Sequence, residues 1–140
     1  MILCDTGFWL ALSNPKDRYF IQAKKVAKEI NEDPITTWPV VTETCHLLTN
    51  RISPEASISF ILQLQTQNIQ IQQISENDLP KIHKLMKKYA NLPMDLADAS
   101  LVLLAEQQGH GRILSTDRRD FNSYRWKCHK PFENLLLGGT

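Results

Sequence analysis

Four carboxylates, Asp5, Glu43, Asp98 and Asp117, lie far apart in this sequence but in related local settings. Asp5 ends the apolar run Ile2 to Cys4, and Asp117 follows the run Arg112 to Ser115. Each run reads as a short strand, and in a parallel sheet acids that follow strands emerge together at one edge. Glu43 and Asp98 each fall in the first turn or so of a predicted helix, at that same edge and beside a positive helix end. Carboxylates gathered this way repel one another and raise each other's pKa, a cost that a bound divalent cation removes. An all-oxygen set without paired histidines or cysteines favours magnesium or manganese over zinc. Such an ion polarises a phosphoryl oxygen and lowers the pKa of bound water, so the chemistry these acids imply is phosphodiester hydrolysis.

Each acid also has an ordinary reading. Asp5 could cap the turn after its strand, although an acid ending a buried strand is costly without a partner. Glu43 could be a solvated, dipole-favoured helix residue. Asp98 stands in an otherwise apolar helix, where an unpaired carboxylate is expensive. Asp95, three residues earlier, is either an N-cap or a further ligand sharing a face with Asp98. Asp117 could be a turn aspartate bonded to its own backbone, and Asp120 reads as a helix cap. Cys45-His46 and Cys128-His129 are tempting as metal pairs, but sequence neighbours point in different directions. Trp9, Trp38 and Trp126 read as core residues, with base stacking the alternative.

The elements that position these groups follow from periodicity. The run Ile2 to Cys4 predicts a strand that stops at a functional loop, Asp5-Thr6-Gly7. Tyr19, Ala23, Val26, Ala27 and Ile30 recur at helical spacing. Ile35 to Trp38 predicts a second strand, and Pro39 suits the first turn of a helix bearing Val41, Cys45 and Leu48. Another helix follows Ser53-Pro54, then a strand at Ile69 to Ile71. Ser75 and Asp78 resemble a capping box opening a helix with stripe Leu79, Ile82, Met86 and Tyr89, its lysines Lys84, Lys87 and Lys88 solvated. Leu96 to Ala105 is apolar nearly all round and predicts a central buried helix stopped at Gly109. Beyond Arg112 to Ser115, an edge strand is expected at Tyr124 to Trp126 and a frayed end at Gly138-Gly139.

Strands alternating with helices predict an α/β fold with a mostly parallel sheet of four to five strands covered on both faces. The chain has 140 residues, of which 42% are hydrophobic, so one domain over 1–140 is expected. No apolar run approaches the ~20 residues needed to span a bilayer, and three scattered cysteines suit a reducing cytoplasm. The net charge of +1 argues for no polyanionic partner by itself. Between Arg112 and Lys130, however, six basic residues face two acids. Arg112, Arg118, Arg119, Arg125 and Lys127 are the candidate phosphate track for RNA.

Taken in order, MILCDTGFWLAL, the TxxPVVTE stretch carrying Glu43, PMDLADASLVLLA and ILSTDRRDF resemble the successive motifs of PIN-domain ribonucleases. The match runs to about Phe121 and is closest to the compact VapC toxins of VapBC toxin/antitoxin pairs. That resemblance implies a three-layer PIN-like fold. It implies that Asp5, Glu43, Asp98 and Asp117 bind Mg2+ or Mn2+, with Asp95 as an additional acid and Thr6 and Thr116 as adjoining hydroxyls. Thr116 would assist catalysis. It further implies endonucleolytic cleavage of RNA and inhibition by a cognate antitoxin. A homodimer is expected, with Leu47, Leu48 and the Phe60 to Leu64 run as a dimer or antitoxin face. The rival is a non-catalytic PIN-like module that binds RNA or protein. Phosphatases and phosphotransfer receivers also place aspartates at strand ends, but the Asp-x-Asp pair of such phosphatases is missing, since Asp5 is followed by Thr6-Gly7.

Overall fold

In the computed structural model, which describes residues 1–137, the first strand and first helix are continuous. Strand β1 (Ile2–Cys4) passes through Asp5 directly into helix α1 (Thr6–Ser13). The expected loop at Thr6-Gly7 is therefore the first turn of a helix. A short, wholly apolar stretch carries no period that separates a buried helix from a buried strand, and here Phe8 and Trp9 go into the core edge to face.

Helix α2 (Phe20–Glu29) returns the chain to β2 (Pro34–Thr37), which pairs with β1 in parallel. Trp38 leaves the strand and begins α3 (Trp38–Arg51), capped by the Thr37 hydroxyl, with Pro39 in its first turn. Helix α4 (Pro54–Thr66), capped by Ser53, leads to β3 (Gln70–Gln72) on the outer side of β2. The Ser75–Asp78 capping box is present and opens a 3-10 turn that runs into α5 (Leu79–Lys88). Lys84, Lys87 and Lys88 face water. Helix α6 (Leu96–Gln108) is buried along most of its length and ends at Gly109, whose φ of 77° is the left-handed cap that glycine favours.

Strand β4 (Arg112–Leu114) then lies on the far side of β1. After it come α7 (Arg118–Ser123), β5 (Arg125–Trp126), β6 (Lys130–Pro131) and β7 (Glu133–Asn134). The main sheet has five parallel strands in the order β3-β2-β1-β4-β7 and is flanked by helices. The fifth strand is β7 rather than the expected Tyr124 to Trp126 segment, part of which (β5) pairs antiparallel with β6 in a separate two-stranded ribbon. Two polar residues, Glu133 and Asn134, show no apolar alternation from which a strand could be read. The Gly138-Gly139 expectation lies outside the described residues. No helix among the described residues is long and apolar enough to cross a membrane.

This strand order has a functional consequence. The chain runs outward from β1 to β2 to β3, then reverses to place β4 on the other side of β1. In open α/β sheets, ligands bind outside the carboxyl ends of the strands where the order reverses. That crevice lies between β1 and β4, and Asp5 and Asp117 follow those two strands.

Candidate active site

The pairing of Cys4 with Leu114 brings Asp5 beside Ser115 at the exit of the sheet. The Asp5 amide donates to Leu114 O at 3.1 Å, extending the ladder by one bond. Both carboxylate oxygens of Asp5 are engaged. Oδ1 accepts the Thr6 amide at 2.7 Å as the α1 cap, and Oδ2 accepts the Ser115 hydroxyl at 2.9 Å. Asp95 caps α6 by accepting the Asp98 amide at 2.8 Å, and Asp117 caps α7 by accepting the Asp120 amide at 3.0 Å. Three helix N-termini are thus each closed by a carboxylate, a pairing of negative side chain with positive helix end.

Asp5, Glu43, Asp95, Asp98, Asp117 and Asp120 all line one cleft of about 320 Å³ with Thr6 and Thr116. Glu43 is the sixth residue of α3, past the expected first turn, and points its Oε1 at the Thr6 hydroxyl 2.5 Å away. Asp98 sits in the first turn of α6, as its position in the apolar segment suggested, and its Oδ2 accepts the Tyr124 hydroxyl at 3.0 Å. Asp120, read as a cap, is instead a buried residue of α7. Asp117 occupies the cap because the helix begins one residue after it.

The electrostatics match the crowding. Burial, supplemented by Glu43 and Asp117, pushes Asp5 up to about 7 against the pull of the Ser115 and Thr6 hydrogen bonds. Burial followed by the charges of Asp5 and Asp95 raises Asp98 to about 8. Asp117 rises to about 6 through burial and then its neighbour Asp120. Glu43 also lies above the usual carboxylate range, chiefly from burial, with Asp95 adding to it. A cluster of acids that holds protons near neutrality is short of positive charge.

The donor set fits a hard divalent cation. It consists of carboxylate and hydroxyl oxygens, and among the described residues Arg119 is the one basic side chain lining the cleft. Among the described residues no three acidic, histidine or cysteine side chains are drawn in closely enough to clasp an ion as they stand. Asp5, Asp95 and Asp117 each commit one oxygen to a backbone amide, and the volume leaves room for an ion with part of its water shell. At the two Cys-His dipeptides, against whose pairing on a metal the sequence argued, His46 bonds Asn50 and His129 bonds its own loop at Lys127 O.

The basic residues divide. Arg119 stands at the lip of the cleft, donating to Leu92 O and to Asp120. Arg118 reaches Leu137 O, and Arg125 bonds the carbonyls of Asn122 and Tyr124. Lys127 has its backbone amide on Glu106 in the last turns of α6, the end away from Asp98. Arg112 begins β4, at the opposite edge of the sheet from the acids, and forks onto Glu32 at 2.9 and 2.6 Å. It does not belong with the others.

Beside the acid cleft lies a larger, mainly apolar groove of about 930 Å³, sharing Glu43 and Asp95 with it. Trp38, Leu79 and Leu96 line this groove and are exposed, so Trp38 departs from the core placement that Trp9 and Trp126 follow. The expected dimer or antitoxin face also divides: Leu48, Phe60 and Leu64 are buried in the core, whereas Ile61 and Leu62 are exposed. The sequence reading assigned no role to Ser115 and Tyr124, whose hydroxyls bond Asp5 and Asp98, or to Asn134, which bonds the Ser115 backbone. Ser115 lay inside the quoted ILSTDRRDF motif, and the other two had no local signal.

A family model described as the PIN domain matches residues 2–127. Among solved structures, VapC20 of Mycobacterium tuberculosis, described as a sarcin-ricin loop cleaving toxin, superposes with a TM-score of 0.82. The two share 19% identity over 94% of this chain and 100% of the other, a likeness of fold. No curated protein matches the sequence.

Proposed function

The chain belongs to the PIN-domain family, and from that premise we propose that it is a divalent-metal-dependent endoribonuclease, the toxin of a toxin/antitoxin pair. One observation carries the reading. Asp5, Glu43, Asp98 and Asp117, separated by up to 112 residues, line a single cleft where the strand order reverses.

Asp5, Asp98 and Asp117 would hold Mg2+ or Mn2+, with Asp95 within reach and Glu43 completing the set or orienting the attacking water. When bound, the ion supplies Lewis acidity to a phosphoryl oxygen and a more acidic water. The chain's own groups do the positioning. The Thr6 hydroxyl fixes Glu43, the Ser115 hydroxyl fixes Asp5, and the Tyr124 hydroxyl fixes Asp98. Thr116 presents its hydroxyl to the cleft, and Arg119 at the lip offers a forked cation to the RNA phosphate. Arg118, Arg125 and Lys127 extend the basic surface along α7 and β5.

The substrate is RNA, cleaved internally in the cytoplasm by this domain acting as a homodimer. The relative that cleaves the sarcin-ricin loop is a toxin, which supports the same role here. For a cognate antitoxin, exposed Trp38, Leu79 and Leu96 provide an apolar surface contiguous with the acids. The decisive assay compares RNA cleavage by wild type and Asp5→Asn, each with manganese and with chelator. Cleavage is expected only from wild type with metal, and equal activity in all four reactions ends the proposal.

The open spacing of the acids favours one alternative, a PIN-like module that binds RNA or protein without cutting. A ligand that prefers the folded state raises its melting temperature. A melt unmoved by manganese therefore supports the binding module.

A further inference from the structure

We propose that Asn134 is a positioning residue of the cleft: from strand β7 it fixes Ser115, and through Ser115 it sets the Asp5 carboxylate and the backbone at Asp117. The inference rests on the metal-holding reading of those acids. Asn134 lies beyond the residues matched by the family model.

Asn134 is buried and pairs with Ile113 in the parallel ladder of β4 and β7. Two residues further along β4, where the chain leaves the sheet, its side chain closes on Ser115. Asn134 Nδ2 donates to Ser115 O at 2.9 Å, and Asn134 Oδ1 accepts the Ser115 amide at 3.3 Å. The same Oδ1 accepts the Leu136 amide at 3.1 Å. Ser115 is fully buried, so without these bonds its amide and carbonyl would both lose their partners. A carboxamide carries a donor and an acceptor on one rigid planar group, which a hydroxyl or carboxylate of similar length does not match.

The Ser115 side chain then reaches both acids. Its Oγ donates to Asp5 Oδ2 at 2.9 Å and accepts the Asp117 amide at 2.9 Å. One hydroxyl therefore bridges the acid that follows β1 and the acid that follows β4. Its aim depends on the orientation of the Ser115 backbone, which Asn134 grips at both polar groups. This is the role that partners behind the ligands play in metal sites, where their loss weakens metal binding by about 10- to 100-fold.

The test is a double-mutant cycle on manganese affinity, measured by calorimetry on wild type, Asn134→Ala, Ser115→Ala and the double variant. Asn134→Ala is expected to bind manganese about 10- to 100-fold more weakly. If it acts through Ser115, the double variant binds no more weakly than Ser115→Ala alone. Losses that multiply, or an Asn134→Ala affinity equal to wild type, overturn the proposal. Should Asn134→Ala not fold, Asn134→Ser keeps a short neutral polar side chain that cannot grip both backbone groups of Ser115, and the same cycle is read with it. Amide exchange gives a readout that needs no metal. Faster exchange at Ser115 and Asp117, with the remaining sheet protected, supports positioning by Asn134, and unchanged exchange overturns it. If wild type itself binds no manganese, the proposed function fails, and exchange alone decides the place of Asn134.

Discussion

The Tyr124 hydroxyl donates to Asp98 Oδ2 at 3.0 Å, joining the residue just past α7 to the first turn of α6. That bond favours the charged carboxylate, against burial and the neighbouring charges of Asp5 and Asp95. Burial and Asp98 itself push the Tyr124 hydroxyl well above its ordinary value, so it remains a donor at working pH. In Tyr124→Phe the ring should stay packed on Tyr89 and Phe121, at centroid distances of 5.0 and 5.2 Å, and the fold should persist. Manganese affinity at pH 7 is expected to fall about 10-fold or more, measured by calorimetry. Equal affinity would remove Tyr124 from the site.

Metal-free stability should decline as pH rises. Asp5, Asp98 and Asp117 titrate in the folded state at about 7, 8 and 6, against 3.8 when unperturbed. Between those values the folded protein holds protons that the unfolded chain releases, so the stabilisation is full below about pH 4 and is lost as pH climbs to about 8. The three protons belong to the cluster rather than to single residues. The lowered Glu32, paired with Arg112, has the opposite sign and acts only at more acidic pH. Chelator-treated protein should therefore melt at a higher temperature at pH 5.5 than at pH 8.5. Added manganese should raise the pH 8.5 melt more, because ligands must be deprotonated to bind. Asp98→Asn should flatten this dependence and stabilise the metal-free protein, while lowering RNA cleavage by more than about 100-fold. A flat wild-type profile in chelator contradicts the crowded cluster.

Gly7→Ala sets two effects against each other. In a helix, alanine is better than glycine by roughly 0.5–1 kcal/mol. Here, though, a Cβ on Gly7 would lie 1.8 Å from Thr116 Oγ1 and 3.0 Å from Thr116 Cβ. Overpacking of this kind costs about 1–3 kcal/mol, so the clash should win. The variant is expected to melt lower and to cleave RNA more slowly as Thr116 is displaced from the cleft. A Gly7→Ala protein at least as stable as wild type and fully active would show that Thr116 moves aside freely.

Arg119 and Arg112 should behave differently towards RNA. Arg119→Ala is expected to weaken binding and to lower the salt slope by about one phosphate contact. Arg112→Ala should leave affinity and slope unchanged, since its guanidinium is held by Glu32 at the other edge of the sheet. Its half-exposed ion pair should contribute no more than about 1 kcal/mol to stability. Binding curves at several salt concentrations read both, and an Arg112→Ala defect equal to that of Arg119→Ala would return Arg112 to the RNA track.

Much of the architecture was legible because it is locally encoded. Ile2–Cys4 and Arg112–Leu114 are short, largely apolar runs with an acid following within three residues, Ser53 and Ser75 announce helix starts, and Gly109 announces a stop. Hydrophobic period and cap chemistry act over a few residues, and a single sequence carries them intact. By the same logic Asp5 and Asp117 belong at one sheet edge, since parallel strands share their direction. Helix α1 and strand β7 escaped that reading, one because its middle, Phe8 to Leu12, is an unbroken apolar run and the other because it is two polar residues long.

What only the tertiary structure decided is who holds the acids. Tyr124 reaches Asp98 across 26 residues, Thr6 reaches Glu43 across 37 and Asn134 reaches Ser115 across 19. Partnerships at such separations depend on strand order, register and the angle at which each helix leaves the sheet. The sequence by itself determined which residues bring the charge and the fold class that gathers them. Burial and hydrogen bonding, which exist only once the strands have paired, determined that Asp117 caps a helix, that Asp120 faces the cleft and that Arg112 is turned away from it.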